Sequence, residues 1–269
     1  MRLSRGHGRN VEDRRGMVRR GAPLGIGVLL LLGVLSLVTG RNFLSLVDTG
    51  PVTAPVGAPR SPEEDARAQF ASDVLDDVQG SWQQLLPGRY QDAVLVLYTG
   101  QTESACGYGS AASGPFYCPA DQRVFLDLGF FDDLHRRFGA PGDFAQAYVI
   151  AHEIGHHVQN LLGIERQVRM LQQQRPDAAN ALSVRLELQA DCLAGVWGRD
   201  AAQRGVLQAG DVEEGLNAAA AIGDDRLQRL GGGVVQPESF THGSSADRVE
   251  WFRQGLEQGD PDGCDTFAQ

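Results

Sequence analysis

The sequence predicts a mainly α-helical domain with a small β-sheet, of the α+β class, behind a single N-terminal transmembrane helix. Two long helical patterns run from residue 144 to 163 and from about 180 to 203, whereas the strand-like apolar runs are short. An uncharged, mostly apolar stretch covers residues 21 to 40, which is the length a helix needs to cross a bilayer core. The 269 residues are 42% hydrophobic, enough to bury a sizeable core.

The region before the domain divides into three predicted segments. Residues 1 to 20 carry seven arginines and two acidic residues, which predicts a basic cytoplasmic tail by the positive-inside rule. Residues 21 to 40 are the predicted transmembrane signal-anchor, and a signal peptide cleaved near Val38-Thr39-Gly40 is the alternative. Residues 41 to 62 contain four prolines and predict an extended linker. The domain, residues 63 to 269, is therefore expected outside the cytoplasm and attached to the cell membrane.

The charge of the chain excludes one class of partner. The net charge is −10 although the first 20 residues are basic, so the remaining chain is strongly acidic. A nucleic-acid-binding protein needs a clustered basic face, so no nucleic-acid partner is expected. The oligomeric state is left open by the sequence.

The elements of the domain follow from local patterns. Apolar residues at helical spacing predict a helix over residues 61 to 86, and the tail predicts a short amphipathic helix around residues 246 to 256. Short apolar runs predict strands at 93 to 98 and 123 to 128, and a short helix is predicted at 130 to 138. No internal repeat is visible.

The predicted helix at 144 to 163 contains the motif His152-Glu153-Ile154-Gly155-His156. Residues four apart lie one turn apart on the same helix face, so both imidazoles can reach one metal ion. Two histidines and a glutamate at this spacing are typical of a catalytic zinc site, in which the glutamate acts as general base. His152 and His156 are the predicted ligands of one Zn²⁺ ion, and Glu153 is the predicted base.

A third ligand is expected because catalytic zinc commonly takes three protein ligands. An extended motif with a third histidine is excluded, since position 162 is Leu162. The second long helix offers Glu187 as the ligand and Asp191, one turn later, as the acceptor of a ligand imidazole's free N–H. The flanking residues of this helix are apolar, and buried carboxylates need a metal ion or a partner. This E-x-x-x-D spacing is typical of glutamate zincins.

A donor for the oxyanion of a peptidase reaction is sought in the later loops. His242 is the predicted stabiliser of the oxyanion, with capping of its own loop as the alternative, and Arg248 is a weaker candidate. His157 faces away from the motif and is interpreted as structural, whereas His135 and His7 lie in solvated charged segments. Asp224 and Asp225 could hold a second cation, although adjacent acidic residues are ordinarily solvated.

The four cysteines fit an oxidising location. Cys106 and Cys118 bracket a loop rich in small residues, and the remaining pair would be Cys192 and Cys264. Three pairings exist, and this one is favoured. A free, buried thiol at Cys192 is the alternative.

Longer blocks of the sequence, covering roughly residues 64 to 267, carry a resemblance to one family. The blocks are Gly114-Pro115-Phe116-Tyr117-Cys118-Pro119-Ala120-Asp121, residues 147 to 159, residues 186 to 192, Ala221-Ile222-Gly223-Asp224-Asp225, Phe240-Thr241-His242-Gly243 and Cys264-Asp265-Thr266-Phe267. They resemble the bacterial putative neutral zinc metallopeptidase family. The resemblance implies a zincin-like domain after an N-terminal membrane segment, with His152 and His156 as zinc ligands and Glu153 as base.

These observations predict a membrane-anchored zinc endopeptidase that hydrolyses peptide or protein substrates. The strand at 123 to 128 is the predicted edge of the cleft along which an extended peptide binds. A zinc-stabilised binding or scaffold domain without turnover is the main alternative. An amidase acting on cell-wall peptides would use the same site.

Overall fold

The computed structural model describes residues 1–16, 61–110 and 114–268. The predicted transmembrane segment at 21 to 40 and nearly all of the linker at 41 to 62 lie outside the described residues. Met1–Arg14 and Pro62–Gln269 form one compact unit, and a second unit, Arg15–Ser61, falls almost wholly in the part not described. In the part that is described, no helix combines the length and apolar character that membrane crossing requires.

The first unit contains a four-stranded mixed sheet. Its strands, in spatial order, are β1 (Val11–Asp13), β2 (Val94–Tyr98), β6 (Arg123–Asp127) and β5 (Phe116–Cys118). β1, β2 and β6 run parallel, and β5 is antiparallel to β6. The predicted strand at 123 to 128 exists as β6. The prediction that it forms the cleft edge on which a peptide binds was wrong, because β2 and β5 pair with its two sides. Strands β3 (Gln101–Ser104) and β4 (Gly107–Ser110) form a separate hairpin.

Strand β1 lies in the segment that the sequence assigns to a separate tail. Asp13 is opposite Leu97 in a parallel ladder, and Arg123 Nη1 donates to Glu12 Oε2 at 2.6 Å. The backbone N–H of Gly6 donates to Asp73 Oδ1 at 2.7 Å. Residues 1 to 14 therefore pack with the domain, whose main segment begins at Pro62, next to the predicted boundary at residue 63.

Helices make up most of the remaining chain. They are α1 (Pro62–Leu85), α2 (Gly129–Arg136), α3 (Asp143–Leu162), α4 (Ile164–Gln174), α5 (Ala179–Gln203), α6 (Asp211–Ala221), α7 (Asp224–Leu230) and α8 (Ser245–Gln258). The structure confirms the α+β class and the predicted helices that correspond to α1, α2, α3, α5 and α8, with ends shifted by one or two residues. The sequence analysis missed α4, α6 and α7, which are short.

The helices that carry the candidate site approach one another closely where small residues meet. A Cβ atom at Gly155 would lie 2.9 Å from the carbonyl oxygen of Ala190, so α3 and α5 can pack this closely only with glycine at that position. A Cβ atom at Gly255 would overlap the carbonyl oxygen of Cys192, where α8 meets α5. These contacts set the distance between the helices, and hence between the side chains of the site.

Both predicted disulfides are present. Cys106 joins Cys118 in β5, and Cys192 in α5 joins Cys264. Among the described residues no cysteine is free, so the alternative of a free Cys192 thiol is wrong. The second bridge ties the C-terminal segment to the helix that carries Glu187 and Asp191.

Two glycine-to-alanine variants test the packing of α8 on α5. Gly255→Ala should lower the free energy of unfolding by about 1–3 kcal/mol, because the added methyl group meets the α5 backbone. Gly80→Ala in α1 is the control: nothing lies within 4 Å of its added Cβ, so the free energy should rise by about 0.5–1 kcal/mol. Urea unfolding followed by circular dichroism measures both. Equal effects of the two substitutions would contradict the assigned close contact.

Candidate metal centre

Three side chains from α3 and α5 converge on one point. His152 Nε2 lies 3.2 Å from Glu187 Oε2, and His156 Nε2 lies 3.5 Å from Glu187 Oε1. Each offers a ligand atom, and these atoms all lie within 4.8 Å of one another. The one-turn spacing on α3 produces this arrangement, and α5 places the carboxylate opposite both rings. The three predicted metal ligands are thus brought together.

The hydrogen bonds behind the two rings determine which nitrogen faces Glu187. His152 Nδ1 donates to Asp191 Oδ1 at 2.8 Å, and His156 Nδ1 donates to Gln159 Oε1 at 2.9 Å. An Nδ1 that faces an acceptor must carry the proton, so in the neutral rings each Nε2 presents its lone pair to the convergence point. This is the tautomer that a metal ion needs.

Asp191 is the centre of a buried network that joins three helices. Its side chain is 0% exposed and accepts from Arg248 Nε at 2.8 Å and from Arg248 Nη2 at 2.9 Å. The hydroxyl of Tyr148 in α3 also donates to it. Arg248 therefore pairs with Asp191, behind His152. The sequence analysis considered it instead as the weaker candidate for a donor to the oxyanion.

The electrostatics of the centre favour a positive charge between the three ligand groups. Burial lowers the pKa of His152, but the carboxylates of Asp191 and Glu187 outweigh it and raise the pKa to about 10. The pKa of His156 is also raised, against its burial, by Glu187. Burial raises the pKa of Glu187, yet the two imidazoles hold it well below its usual range.

The donor set fits zinc. Two imidazole nitrogens and one carboxylate form one of the ligand sets that catalytic zinc uses, with a fourth position open to water or substrate. Without a cation, two Nε2 lone pairs and a carboxylate would repel each other. The raised pKa values of His152 and His156 show in the same way that a positive charge is stabilised between these groups. The residues present therefore suit Zn²⁺.

Glu153 lies beside the ligands and lines the open cavity at this face of α3. Its side chain is buried, and burial raises the pKa of its carboxyl, with His152 and His156 opposing the rise. A raised pKa brings a carboxylate closer to the working pH of a general base. The predicted base is thus next to the predicted ligands, with its proton affinity increased.

His242 reaches the same cavity from the loop before α8. Its side chain is 52% exposed, and its Nδ1 lies 3.2 Å from Asp224 Oδ1. Asp224 also accepts the backbone N–H groups of Thr241, His242 and Gly243, so it organises this loop. Asp225 accepts hydrogen bonds from the backbone N–H and the hydroxyl of Ser245. The two adjacent carboxylates, which the sequence analysis considered for a second cation, thus accept hydrogen bonds from this loop.

His157 is a satisfied structural histidine, as predicted. It is fully buried, its Nε2 donates to the carbonyl oxygen of Gln91 at 2.7 Å, and its Nδ1 accepts from the Tyr117 hydroxyl at 2.9 Å. Burial lowers the pKa of its ring, which favours the neutral form. His157 thereby ties the edge strand β5 to α3. His135 and His7, which the sequence analysis placed in solvated segments, are exposed.

Gln159 is a residue of the site whose role the sequence analysis missed. Its Oε1 accepts from His156, while its Nε2 donates to the carbonyl oxygen of Leu186 at 2.7 Å and to Gln189 Oε1 at 3.0 Å. It therefore orients one ligand ring and connects α3 to α5. Its position three residues after His156, on the same helix face, was the available signal.

The ligands open onto a cavity of about 880 Å³. β5 contributes Phe116 and Tyr117 to the lining, and further lining residues come from α5, from α7 and from the residues flanking α7. A cavity of this size is near the upper end of the range of about 300–1,000 Å³ for small-molecule sites. The predicted ligands His152, His156 and Glu187, the predicted base Glu153 and the exposed His242 therefore all line one cleft.

A ligand set of this composition, with a glutamate beside it in an open cleft, is the arrangement of a zinc metallopeptidase. The family model described as "Putative neutral zinc metallopeptidase" matches residues 1–267, and the chain belongs to that family. The match includes the residues of β1 and nearly all of the chain.

Two relatives illustrate the family. The chain is 51% identical over 278 residues to the uncharacterized protein YpfJ of Escherichia coli strain K12, covering 97% of this chain and 96% of that protein. It is 45% identical over 204 residues to the uncharacterized protein Rv2575 of Mycobacterium tuberculosis strain H37Rv, covering 72% of this chain and 68% of the relative. No solved structure matches the chain.

Replacing Asp191 tests the support of His152. Asp191→Asn should weaken zinc binding about 10–100-fold, because the amide no longer holds the ring in one tautomer and leaves Arg248 without its counter-charge. Competition with a chromophoric chelator measures the affinity. Asp262→Asn, at an exposed position, is the control and should bind zinc like the unchanged chain. Unchanged affinity in a folded Asp191→Asn variant would contradict the assigned role.

Proposed function

We propose that this protein is a membrane-anchored, extracytoplasmic zinc endopeptidase. The observation that carries the proposal is the convergence of both histidine Nε2 atoms on Glu187, with Glu153 next to His152 in the chain and lining the same open cleft. A purely structural zinc site is closed by four protein ligands, whereas this group has three and opens onto a cleft.

The chain's own residues can perform the proton transfers of peptide hydrolysis. When bound, zinc supplies a Lewis acid that polarises water and the peptide carbonyl. Glu153 accepts the proton of the attacking water and delivers it to the leaving amine. His242, whose ring faces the cleft from a loop held by Asp224, donates a hydrogen bond to the developing oxyanion. Asp191 and Gln159 keep the ligand imidazoles oriented throughout.

The edge strand β5 supplies the surface on which an extended substrate binds. It is antiparallel to β6, and in the part of the sheet that the structure describes its other side pairs with no strand. An extended peptide can add to such an edge through main-chain hydrogen bonds. The Tyr117 hydroxyl is held by His157 and Asn160, which fixes β5 relative to the metal ligands.

The proposed location rests on the cysteines. Two disulfides, Cys106–Cys118 and Cys192–Cys264, join segments of the domain, and disulfides persist in exported proteins. Attachment through residues 21 to 40 is the prediction from the sequence.

A single substitution tests the proposed activity. Glu153→Gln should keep zinc bound and lower the rate of peptide cleavage by about 10²–10⁴-fold, because the amide cannot take the proton. Cleavage is measured with the zinc-loaded protein on a mixture of fluorogenic peptides, and zinc content by chelator competition.

The matched control is Glu250→Gln, an exposed glutamate on α8, which should cleave at the unchanged rate. Full activity of Glu153→Gln would refute the mechanism. Zinc binding by the unchanged protein without cleavage of any peptide would favour the non-catalytic scaffold.

A further inference from the structure

The cleft has an apolar side that the proposed chemistry does not use. Phe130, Phe138, Ile222 and Leu227 line the cavity, and all four are only partly buried. Apolar side chains that remain partly open inside a concave site mark a place where an apolar group binds. We propose that this surface, here called the apolar wall, binds a bulky aromatic or branched aliphatic side chain of the substrate next to the scissile bond. The inference rests on the proposed peptidase function.

The cavity that the apolar wall lines is also apolar next to the catalytic glutamate, on the same face of α3. Val149 also lines the cavity and precedes His152 by three residues and Glu153 by four, so the three share one face of α3. One helical turn is about 5.4 Å long. A side chain seated against Val149 therefore belongs to a residue at the scissile bond or directly next to it.

The apolar wall is held in place by hydrogen bonds to its backbone carbonyl groups. Arg226 Nη2 in α7 donates to the carbonyl oxygen of Phe138 at 2.7 Å, which fastens α7 to the segment after α2. Arg248 Nη1 donates to the carbonyl oxygen of Ile222 at 3.3 Å, so the same arginine that holds Asp191 also positions this wall. The rings of Phe130 and Phe138 lie 6.2 Å apart.

The charged residues next to the apolar wall neutralise each other. Arg137 Nη1 lies 3.1 Å from Asp133 Oδ2, and the Arg137 guanidinium covers the Phe138 ring at 5.4 Å. A charged substrate side chain would have to compete with this pair, whereas an apolar one leaves it intact. The local charges therefore favour an apolar substrate residue.

Peptides that differ only at the residue next to the cleavage point test the preference. The unchanged protein should cleave the Phe or Leu peptide at least about tenfold faster, in kcat/KM, than the Ala or Asp peptide. Phe138→Ala should bring this ratio close to one. Leu227→Phe narrows the cavity and should shift the preference towards Ala. Met170→Ala, at an exposed apolar position on α4 outside the cavity, should keep the ratio of the unchanged protein.

A binding measurement separates this inference from the proposed function. Peptide hydroxamates carrying Phe, Leu, Ala or Asp are titrated calorimetrically into zinc-loaded Glu153→Gln, in which cleavage is suppressed. Tighter binding of the Phe and Leu compounds, lost on adding Phe138→Ala, supports the apolar wall even if no peptide is ever cleaved. Equal binding of all four compounds overturns it even if the protein is an active peptidase.

Strand β1 carries a second, independent inference. Its ladder with β2 pairs Val11 with Leu95, Glu12 with Val96 and Asp13 with Leu97. The ladder is extended at both ends, since Leu95 N donates to the Asn10 carbonyl at 2.8 Å and Arg14 N to the Leu97 carbonyl at 2.7 Å. A single membrane crossing by residues 21 to 40 would separate β1 from β2. We infer that residues 1 to 14 lie in the same compartment as the domain, and that the membrane attachment proposed for residues 21 to 40 does not cross the bilayer.

Single cysteines test this arrangement in intact cells. Ser4→Cys and Glu257→Cys place one free thiol each at exposed positions before and after the predicted membrane segment, because the four native cysteines are paired. A membrane-impermeant maleimide should label both variants before lysis, or neither, and both after lysis. Labelling of only one variant before lysis would show that the membrane separates β1 from the domain and would overturn the inference.

Discussion

The metal centre depends on one buried ion pair, between Asp191 and Arg248. Removing two charges from water is costly, and the cost is offset only when the partners also hydrogen-bond well. Here the carboxylate accepts from two guanidinium nitrogens, the Tyr148 hydroxyl and His152 Nδ1, which come from α8 and α3. The pair therefore fixes three helices at the point where the ligand ring must be oriented. Its loss would leave a buried charge without a partner.

The close packing of these helices makes the ion pair possible. Gly155 and Gly255 are positions where a methyl group would meet the backbone of α5, so α3 and α8 approach it from two sides. The close approach of α3 brings the ligands His152 and His156 next to α5, and the close approach of α8 brings Arg248 next to it. The disulfide between Cys192 and Cys264 joins α5 to the C-terminal segment that follows α8. Backbone distance, set by small residues and one covalent bond, thus determines the distances between the functional side chains.

Local periodicity accounts for what the sequence could predict. The spacing of His152, His156, Glu187 and Asp191 fixes their helix faces, and apolar flanks showed that both helices are buried, so this group was found without a structure. Strand β1 was missed because it is three residues long and lies among arginines, where charge suggested a tail. Its partner β2 is about 80 residues away, and only the folded sheet reveals such pairing. The pairing of Arg248 with Asp191, 57 residues away in the sequence, was likewise visible only in the folded structure.

Three carboxylates in one centre acquire different proton affinities from their surroundings. Burial raises the pKa of all three, and neighbouring groups then separate them. For Glu187 the two imidazoles reverse the effect and hold its pKa well below the usual range, and for Asp191 the Arg248 guanidinium and His152 lower the pKa. Glu153 lacks such a close partner among the described residues, so burial dominates and its pKa stays raised. Glu187 and Asp191 remain ionised, which suits binding a cation and orienting the His152 ring. Glu153 gains a proton more readily, which suits proton transfer.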